Sequence, residues 1–407
     1  MSKHAQFFQT DRQAAAVLKH GVLDRYLATF AGKVGSTSVN NRVGYVDGFA
    51  GSGVYVNPIT GRRTPGSPAI ALTIASSLRR RSRILESTFI EMRAKEFASL
   101  GAVVESYADS GAQVFRGDVR THLPGALDRF ADVPLLVFLD PFGTSLETDA
   151  VVKILRRPLA LPTEVLLNFS IDSVRRIGGR LFERAKAPGR EASLRRLDTW
   201  LGGDWWRPYF VDPGLNGVEN RFSISADRVF AEYVRRVNSL SGSSSFTVPI
   251  RRQPHHLPIF YLTLFFRRSF AVMPFNEAVS MATQDWRMHL QDLDLTEADL
   301  LDYRNPPLPG LSRVGELRQV FADDEVAFKA GTIDTIAETI RESLSARSAL
   351  SVTNDFTNVF GPAVGTGRTL HLRAAWKSLA KEGLVRDPPT GNLDFAMIHK
   401  RVVPRFG

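Results

Sequence analysis

The sequence predicts an α/β protein, with a mostly parallel, doubly wound sheet over residues 1–295 and a smaller helical domain over 296–407. Three observations carry this expectation. Strand-like runs that end in a small or acidic residue alternate with helical runs between residues 43 and 169. The run Leu135-Leu136-Val137-Phe138-Leu139 is apolar throughout, as a strand covered on both faces requires. Beyond Pro306-Pro307-Leu308-Pro309-Gly310 the pattern changes, and apolar residues recur only at helical spacing.

Each element follows from its pattern. Val17, Leu18, Leu23, Leu27 and Phe30 give an amphipathic helix over 13–30. Strands are expected at Val43–Asp47, Ser87–Glu91, Gln113–Gly117, Leu135–Asp140 and Glu164–Phe169. The helices between them fall at Ser67–Arg81, Arg93–Tyr107, Leu123–Phe130 and Glu147–Leu155. Residues 171–245 interrupt the alternation with an arginine-rich, partly helical insertion that carries Trp200, Trp205 and Trp206. These tryptophans suit either base stacking or packing. Ser239–Ser245 reads as a Ser/Gly linker, after which Phe246–Arg252 and Ile259–Phe266 form an antiparallel pair. In the last domain, Ile333, Ile336, Ile340 and Leu344 make one apolar stripe, Thr369–Lys381 makes another helix, and a Pro/Gly turn at Pro388–Gly391 comes after it. Helices followed by a short hairpin are the order of a winged helix, with Arg368, Arg373 and Lys377 available for phosphates.

Composition removes several chemistries. Among 407 residues there is no cysteine, which excludes disulfides, thiolate nucleophiles and iron–sulfur clusters ligated by this chain. It also excludes methylation of pyrimidine C5 through a cysteine adduct. No metal site is expected, because adjacent histidines such as His255-His256 point apart on an extended chain. The N-terminal residues lack the apolar core of a signal peptide, and Ile259–Phe266 is too short to span a bilayer. A cytoplasmic protein with no membrane partner is the expectation. Basic residues outnumber acidic ones 52 to 42, a formal charge of +10 carried largely by arginine pairs. Such pairs suit a nucleic-acid-facing surface, and equally a solvated exterior.

Four motifs carry chemistry, one per strand end. Asp47-Gly48-Phe49-Ala50-Gly51-Ser52-Gly53 comes after the first strand, and its glycines let backbone approach a ligand closely. Glu91 ends the second strand, where a carboxylate can accept both hydroxyls of a ribose. Gly117-Asp118 ends the third, within reach of an adenine amine. Asp140-Pro141-Phe142-Gly143 comes after the fourth. There Asp140 and the Pro141 carbonyl suit an exocyclic amine, and Phe142 suits a stacked base. Asn168 ends the fifth strand, placed either to reach this edge or to pack. Each motif alone also reads as an ordinary turn or surface acid; their succession is what points to a site.

In that order the motifs resemble class I S-adenosylmethionine-dependent methyltransferases, and the final antiparallel pair is similar to the reversed seventh strand of that fold. The D-P-F-G is similar to the D-P-P-Y tetrad of amino-methyltransferases acting on nucleic acids, and closer to the D-P-F-G of tRNA guanine-N2 dimethyltransferases. Lys19-His20-x-x-Leu23-x-x-Tyr26, Tyr45 to Gly53, Gly66-Ser67-Pro68, Phe89-Ile90-Glu91, Gly117-Asp118, Phe138 to Gly143 and Thr163 to Phe169 together resemble the three-Cys-motif partner protein family. This resemblance implies S-adenosylmethionine as cofactor and a cysteine-motif, radical-SAM-like partner that supplies the cluster. It assigns Asp47, Phe49, Ala50, Gly51 and Gly53 to the methionine end, Glu91 to ribose and Asp118 to adenine. Asp140, Pro141, Phe142 and Gly143 would face the methyl acceptor in DNA or RNA. The chain departs from the pattern in a long Val54–Pro65 insertion and in Phe142-Gly143 where the tetrad has Pro-Tyr. An accessory subunit that recruits nucleic acid without catalysis is the alternative, and a metal-dependent nucleotide hydrolase lacks the paired acids it needs.

Overall fold

A computed structural model describes residues 3–56, 61, 63–141, 143, 146–184, 187–308 and 311–401, with only the backbone of 3–13 and of residue 108. The alternation of strands and helices is present. Helix α1 (Lys3–Gly35) leads into β1 (Arg42–Asp47), a hairpin of β2 (Val54–Val56) and β3 (Arg63–Pro65), α2 (Ser67–Arg79) and β4 (Ile84–Glu91). Then come α3 (Ala94–Glu105), β5 (Gln113–Arg116), α4 (Val119–Arg129), β6 (Leu135–Leu139), α5 (Thr148–Leu155) and β7 (Thr163–Phe169). Four helices, α6 (Ile171–Gly179), α7 (Arg190–Leu201), α8 (Arg207–Phe210) and α9 (Arg221–Ser241), precede β8 (Ser244–Ile250) and β9 (Phe260–Phe266). The remainder is α10 (Val272–Arg304), α11 (Arg313–Ser343), β10 (Ala349–Ser351), α12 (Phe356–Phe360), α13 (Thr369–Lys381) and β11 (Met397–His399). The chain divides into two units, Tyr26–Arg268 and Met1–Arg25 with Ser269–Gly407.

In the unit Tyr26–Arg268 seven strands form one sheet in the order β5-β4-β1-β6-β7-β9-β8. All neighbours pair in parallel except those of β9, which runs against both β7 and β8. This is the class I methyltransferase order, reversed strand included. Strands β6 and β7 are buried along their whole lengths, β6 with an unbroken apolar sequence and β7 with Glu164 and Asn168 buried among its apolar residues. The order reverses between β1 and β6, so their carboxyl ends flank the topological switch point where open α/β sheets bind ligands.

The insertion is integrated into the core. Trp200 and Trp206 are fully buried, and Trp200 stacks on Phe169 of β7 with ring centroids 4.6 Å apart. Packing is therefore the role of these two rings, and base stacking is closed to them. The expected Ser239–Ser245 linker is shorter than its composition suggests. Helix α9 runs to Ser241, Gly242 caps it at φ +65°, and β8 starts at Ser244. The Val54–Pro65 insertion contains the β2–β3 hairpin, with Val54 opposite Pro65.

In the second unit, Arg25 near the α1 boundary pairs with Asp285 of α10 at 2.6 Å. β10 and β11 pair antiparallel, Ala349 opposite His399. The Trp376 indole N–H donates to the Arg386 carbonyl at 2.7 Å. Arg373 donates to the carbonyls of Pro389 and Gly391, so its guanidinium ties the Pro/Gly turn to α13. No helix among the described residues is long and apolar enough to cross a membrane.

One buried pair crosses the sheet unit. The Tyr26 hydroxyl of α1 donates to the Glu164 carboxylate of β7 at 2.5 Å. Burial pushes the Glu164 carboxyl up from 4.5 to about 8, and the Tyr26 bond offsets only part of that. A carboxyl raised on folding contributes stability that is complete below pH 4.5 and is lost as pH rises toward 8. The unfolding free energy should fall through that window by about 1.4 kcal/mol per pH unit. Glu164→Gln, which holds the neutral form, should flatten that slope in urea titrations from pH 5 to 8; an unchanged slope would assign the pH dependence to other groups.

Candidate functional site

The site is built from the residues just past each strand. Because β5, β4, β1 and β6 are neighbours, the ends carrying Asp118, Glu91, Asp47 and Asp140 stand in one row. At about 4.8 Å between strands, that row spans roughly 14 Å. Backbone hydrogen bonds stitch it together. Gly48 N–H donates to the Phe138 carbonyl, Ala50 N–H to that of Ile90, and Gly117 N–H to that of Glu91.

Asp47 is fully buried, and its Oδ1 accepts the Phe49 amide at 3.1 Å, an Asx-type turn that bends the chain out of β1. Phe49 packs partly against the core and Ala50 is buried. Gly51 and Gly53 then take φ of +65° and +77°, a left-handed backbone that side chains other than glycine resist. Glu91, 5% exposed, accepts the Gly51 amide on Oε2 at 2.8 Å. Its Oε1 accepts both the amide and Nε of Arg93, at 2.8 and 3.2 Å. The carboxylate latches the glycine loop to the end of β4.

Asp118 repeats that arrangement one strand over. As N-cap of α4 it accepts the Arg120 amide and Nε on Oδ1, at 2.8 and 3.0 Å, and an Arg120 terminal nitrogen on Oδ2 at 2.6 Å. The hydrogen bond from the Arg120 side chain holds its carboxyl below the usual range. Acid-x-Arg occurs at both places, Glu91-Met92-Arg93 and Asp118-Val119-Arg120. This spacing is legible in the sequence and foretells a carboxylate folded over its own i+2 residue.

Asp140 sits across the switch point from Asp47. The Asn168 amide nitrogen, from the end of β7, donates to Asp140 Oδ1 at 2.6 Å. Asn168 Oδ1 is buried without a hydrogen-bond partner among the described residues, and so is the Tyr45 hydroxyl on β1. Burial, then the charges of Asp47 and Asp140, push the Tyr45 hydroxyl well above its ordinary pKa. Sequence reasoning gives Tyr45 no role of its own, although it lies two residues before Asp47 and so on the same strand face. Pro141 is buried and Gly143 has φ +81°, while Phe142 lies outside the described residues.

A cleft of about 700 Å³ opens beside these loops, lined by Arg120, Glu147, Arg180, Arg195, Arg196 and Trp200 among others. Arg120 and Arg180 pair with Asp118 and Glu183, at 2.6 and 3.0 Å. Arg196 bonds to the Ser193 hydroxyl at 3.2 Å and meets no carboxylate among the described residues.

No family model matches the chain, and no curated protein matches it. Among solved structures, a putative O-methyltransferase from Klebsiella pneumoniae is similar at 11% identity. That match covers 61% of this chain and 89% of that one, with a TM-score of 0.25. So distant a likeness leaves the fold to rest on the sheet order itself.

The latch yields a direct expectation. Glu91→Ala leaves the Gly51 amide, a buried donor, without its acceptor, at a cost of about 1–3 kcal/mol. Glu91→Gln keeps one acceptor oxygen and should cost less. Urea denaturation of both variants checks the ranking, and equal stabilities would mean that the latch contributes nothing.

Proposed function

We propose that this chain is an S-adenosylmethionine-dependent methyltransferase that methylates an exocyclic amine in nucleic acid, in the cytoplasm, together with a three-Cys-motif, radical-SAM-like partner protein. The supporting observation is the switch point itself. It juxtaposes a latched glycine loop on β1 and β4 with an Asn168-held Asp140 at the end of β6.

The residues present suit the cofactor. The left-handed Gly51 and Gly53 carry no Cβ to keep a ligand from the loop backbone, and Asp47 supplies a buried charge at the strand end. Both Arg93 bonds fall on Glu91 Oε1, whereas Oε2 has one, so a lone pair on Oε2 is the acceptor for a ribose hydroxyl. Asp47, Phe49, Ala50, Gly51, Gly53, Glu91 and Asp118 would hold the cofactor, which when bound supplies an electrophilic methyl group on sulfonium. Asp140 and the Pro141 carbonyl accept N–H from the acceptor amine and turn its lone pair toward the methyl group. Asn168 fixes the Asp140 carboxylate in that pose. The amine nitrogen would bond the methyl carbon as the carbon–sulfur bond breaks and its electron pair stays on sulfur as a thioether, the amine proton would pass to the Asp140 carboxylate, and positioning would provide most of the rate. The arginine cleft beside the loops suits the phosphates of the acceptor strand. Residues 296–407 are read as a winged-helix-like domain, with α11, α12 and α13 as its helices and the β10–β11 ladder as its wing.

A second reading, an accessory subunit that only recruits nucleic acid, draws support from Asp118, whose carboxylate is already engaged by Arg120. Transfer of labelled methyl groups to nucleic acid by the complex with its partner separates the two. Asp140→Ala should lower the rate by about 100-fold while cofactor binding is retained. Transfer unaffected by that substitution would leave the accessory reading.

A further inference from the structure

The unit that includes Ser269–Gly407 holds a cavity of about 360 Å³ between α10, α11 and the start of α13. Its lining includes Ser280, Arg287, Glu325, Lys329, Arg368 and His371. The charges there are not balanced. Arg287 is neutralised by Glu325, with bonds at 3.0 and 3.2 Å, and its guanidinium lies 3.9 Å from the centre of the Phe328 ring. Lys329 and Arg368 have no carboxylate partner among the described residues.

His371, which is 4% exposed, lines the same cavity and feels the charge of both cations. Its Nδ1 accepts the Arg368 amide at 3.1 Å, so in the neutral ring the proton is on Nε2. Nε2 has no hydrogen-bond partner among the described residues, leaving a donor on a buried ring in the cavity wall. Burial, then the charges of Arg368 and Lys329, hold the His371 pKa below its ordinary value, which keeps the ring neutral and Nδ1 an acceptor. Glu277, on α10, is already engaged, accepting the Thr369 amide in the first turn of α13. An anion entering this concave site meets two cations without carboxylate partners among the described residues, both close enough to act on the His371 ring, and one neutral donor.

We propose that this cavity binds a phosphate group, with Lys329 and Arg368 supplying charge and His371 Nε2–H a directional hydrogen bond. The group belongs either to a nucleic-acid backbone or to a free phosphorylated molecule. This site belongs to a different unit of the chain from the strand-edge crevice and does not depend on methyl transfer.

The test uses the full chain and inorganic phosphate at constant ionic strength. Phosphate at ten times its dissociation constant should raise the melting temperature by about 3 °C relative to chloride. Lys329→Met with Arg368→Met should abolish the rise, and Lys381→Met, exposed in the last turn of α13 and outside the cavity lining, should preserve it. In the unaltered protein, phosphate should also shift the His371 ring resonance, a readout that needs no variant. Phosphate that displaces a labelled single-stranded oligonucleotide identifies a backbone phosphate as the ligand. Phosphate that stabilises the protein without displacing the oligonucleotide identifies a free phosphorylated ligand. No rise, a rise retained by the double variant, or an unmoved His371 resonance overturns the proposal.

Discussion

Glu91 accepts backbone amides from two segments that leave neighbouring strands, Gly51 after β1 and Arg93 after β4. A buried carboxylate in this position is stable only while those donors stay in place, and the donors are satisfied only while the carboxylate does. The loop it secures orders two glycines, Gly51 and Gly53, in left-handed conformations, which are free of strain but cost backbone entropy to hold. The shape of the crevice on the β4 side of the switch point therefore depends on one side chain. On the other side, Asn168 performs a similar service for Asp140.

These two restraints differ in reach. Glu91 uses partners 40 residues and 2 residues away, so it couples a local turn to a tertiary contact. Asn168 acts between neighbouring parallel strands β6 and β7, which are both fully buried and paired in register from Leu135–Thr163 to Leu139–Leu167. A one-residue slip of either strand would turn that face inside out, so the Asp140–Asn168 contact inherits its precision from the core.

Much of the sheet is legible in the sequence because buried parallel strands leave largely apolar runs, and acids and glycines mark where they end. The reversed strand is legible from two runs too close together for a crossover helix. What the sequence conceals is long-range or mutual. Tyr26 and Glu164 are 138 residues apart, and neither pattern nor spacing announces their hydrogen bond. The three tryptophans of the insertion suit stacking by composition alone, yet two are buried in packing, Trp200 against Phe169 and Trp206 against Phe210. Asp118 reads as open to a ligand, and its local engagement by Arg120 is foretold only by the acid-x-Arg spacing it shares with Glu91.

The central claim is that the ends of β1, β4, β5 and β6 form one crevice for an adenosyl sulfonium compound. Hydrogen–deuterium exchange of the full chain, with and without S-adenosylmethionine, tests it most directly. The account predicts slowed exchange confined to the amides of 47–53 and the segments just after Glu91, Arg116 and Leu139. Unchanged exchange at those four strand ends, with the ligand in excess, would contradict it.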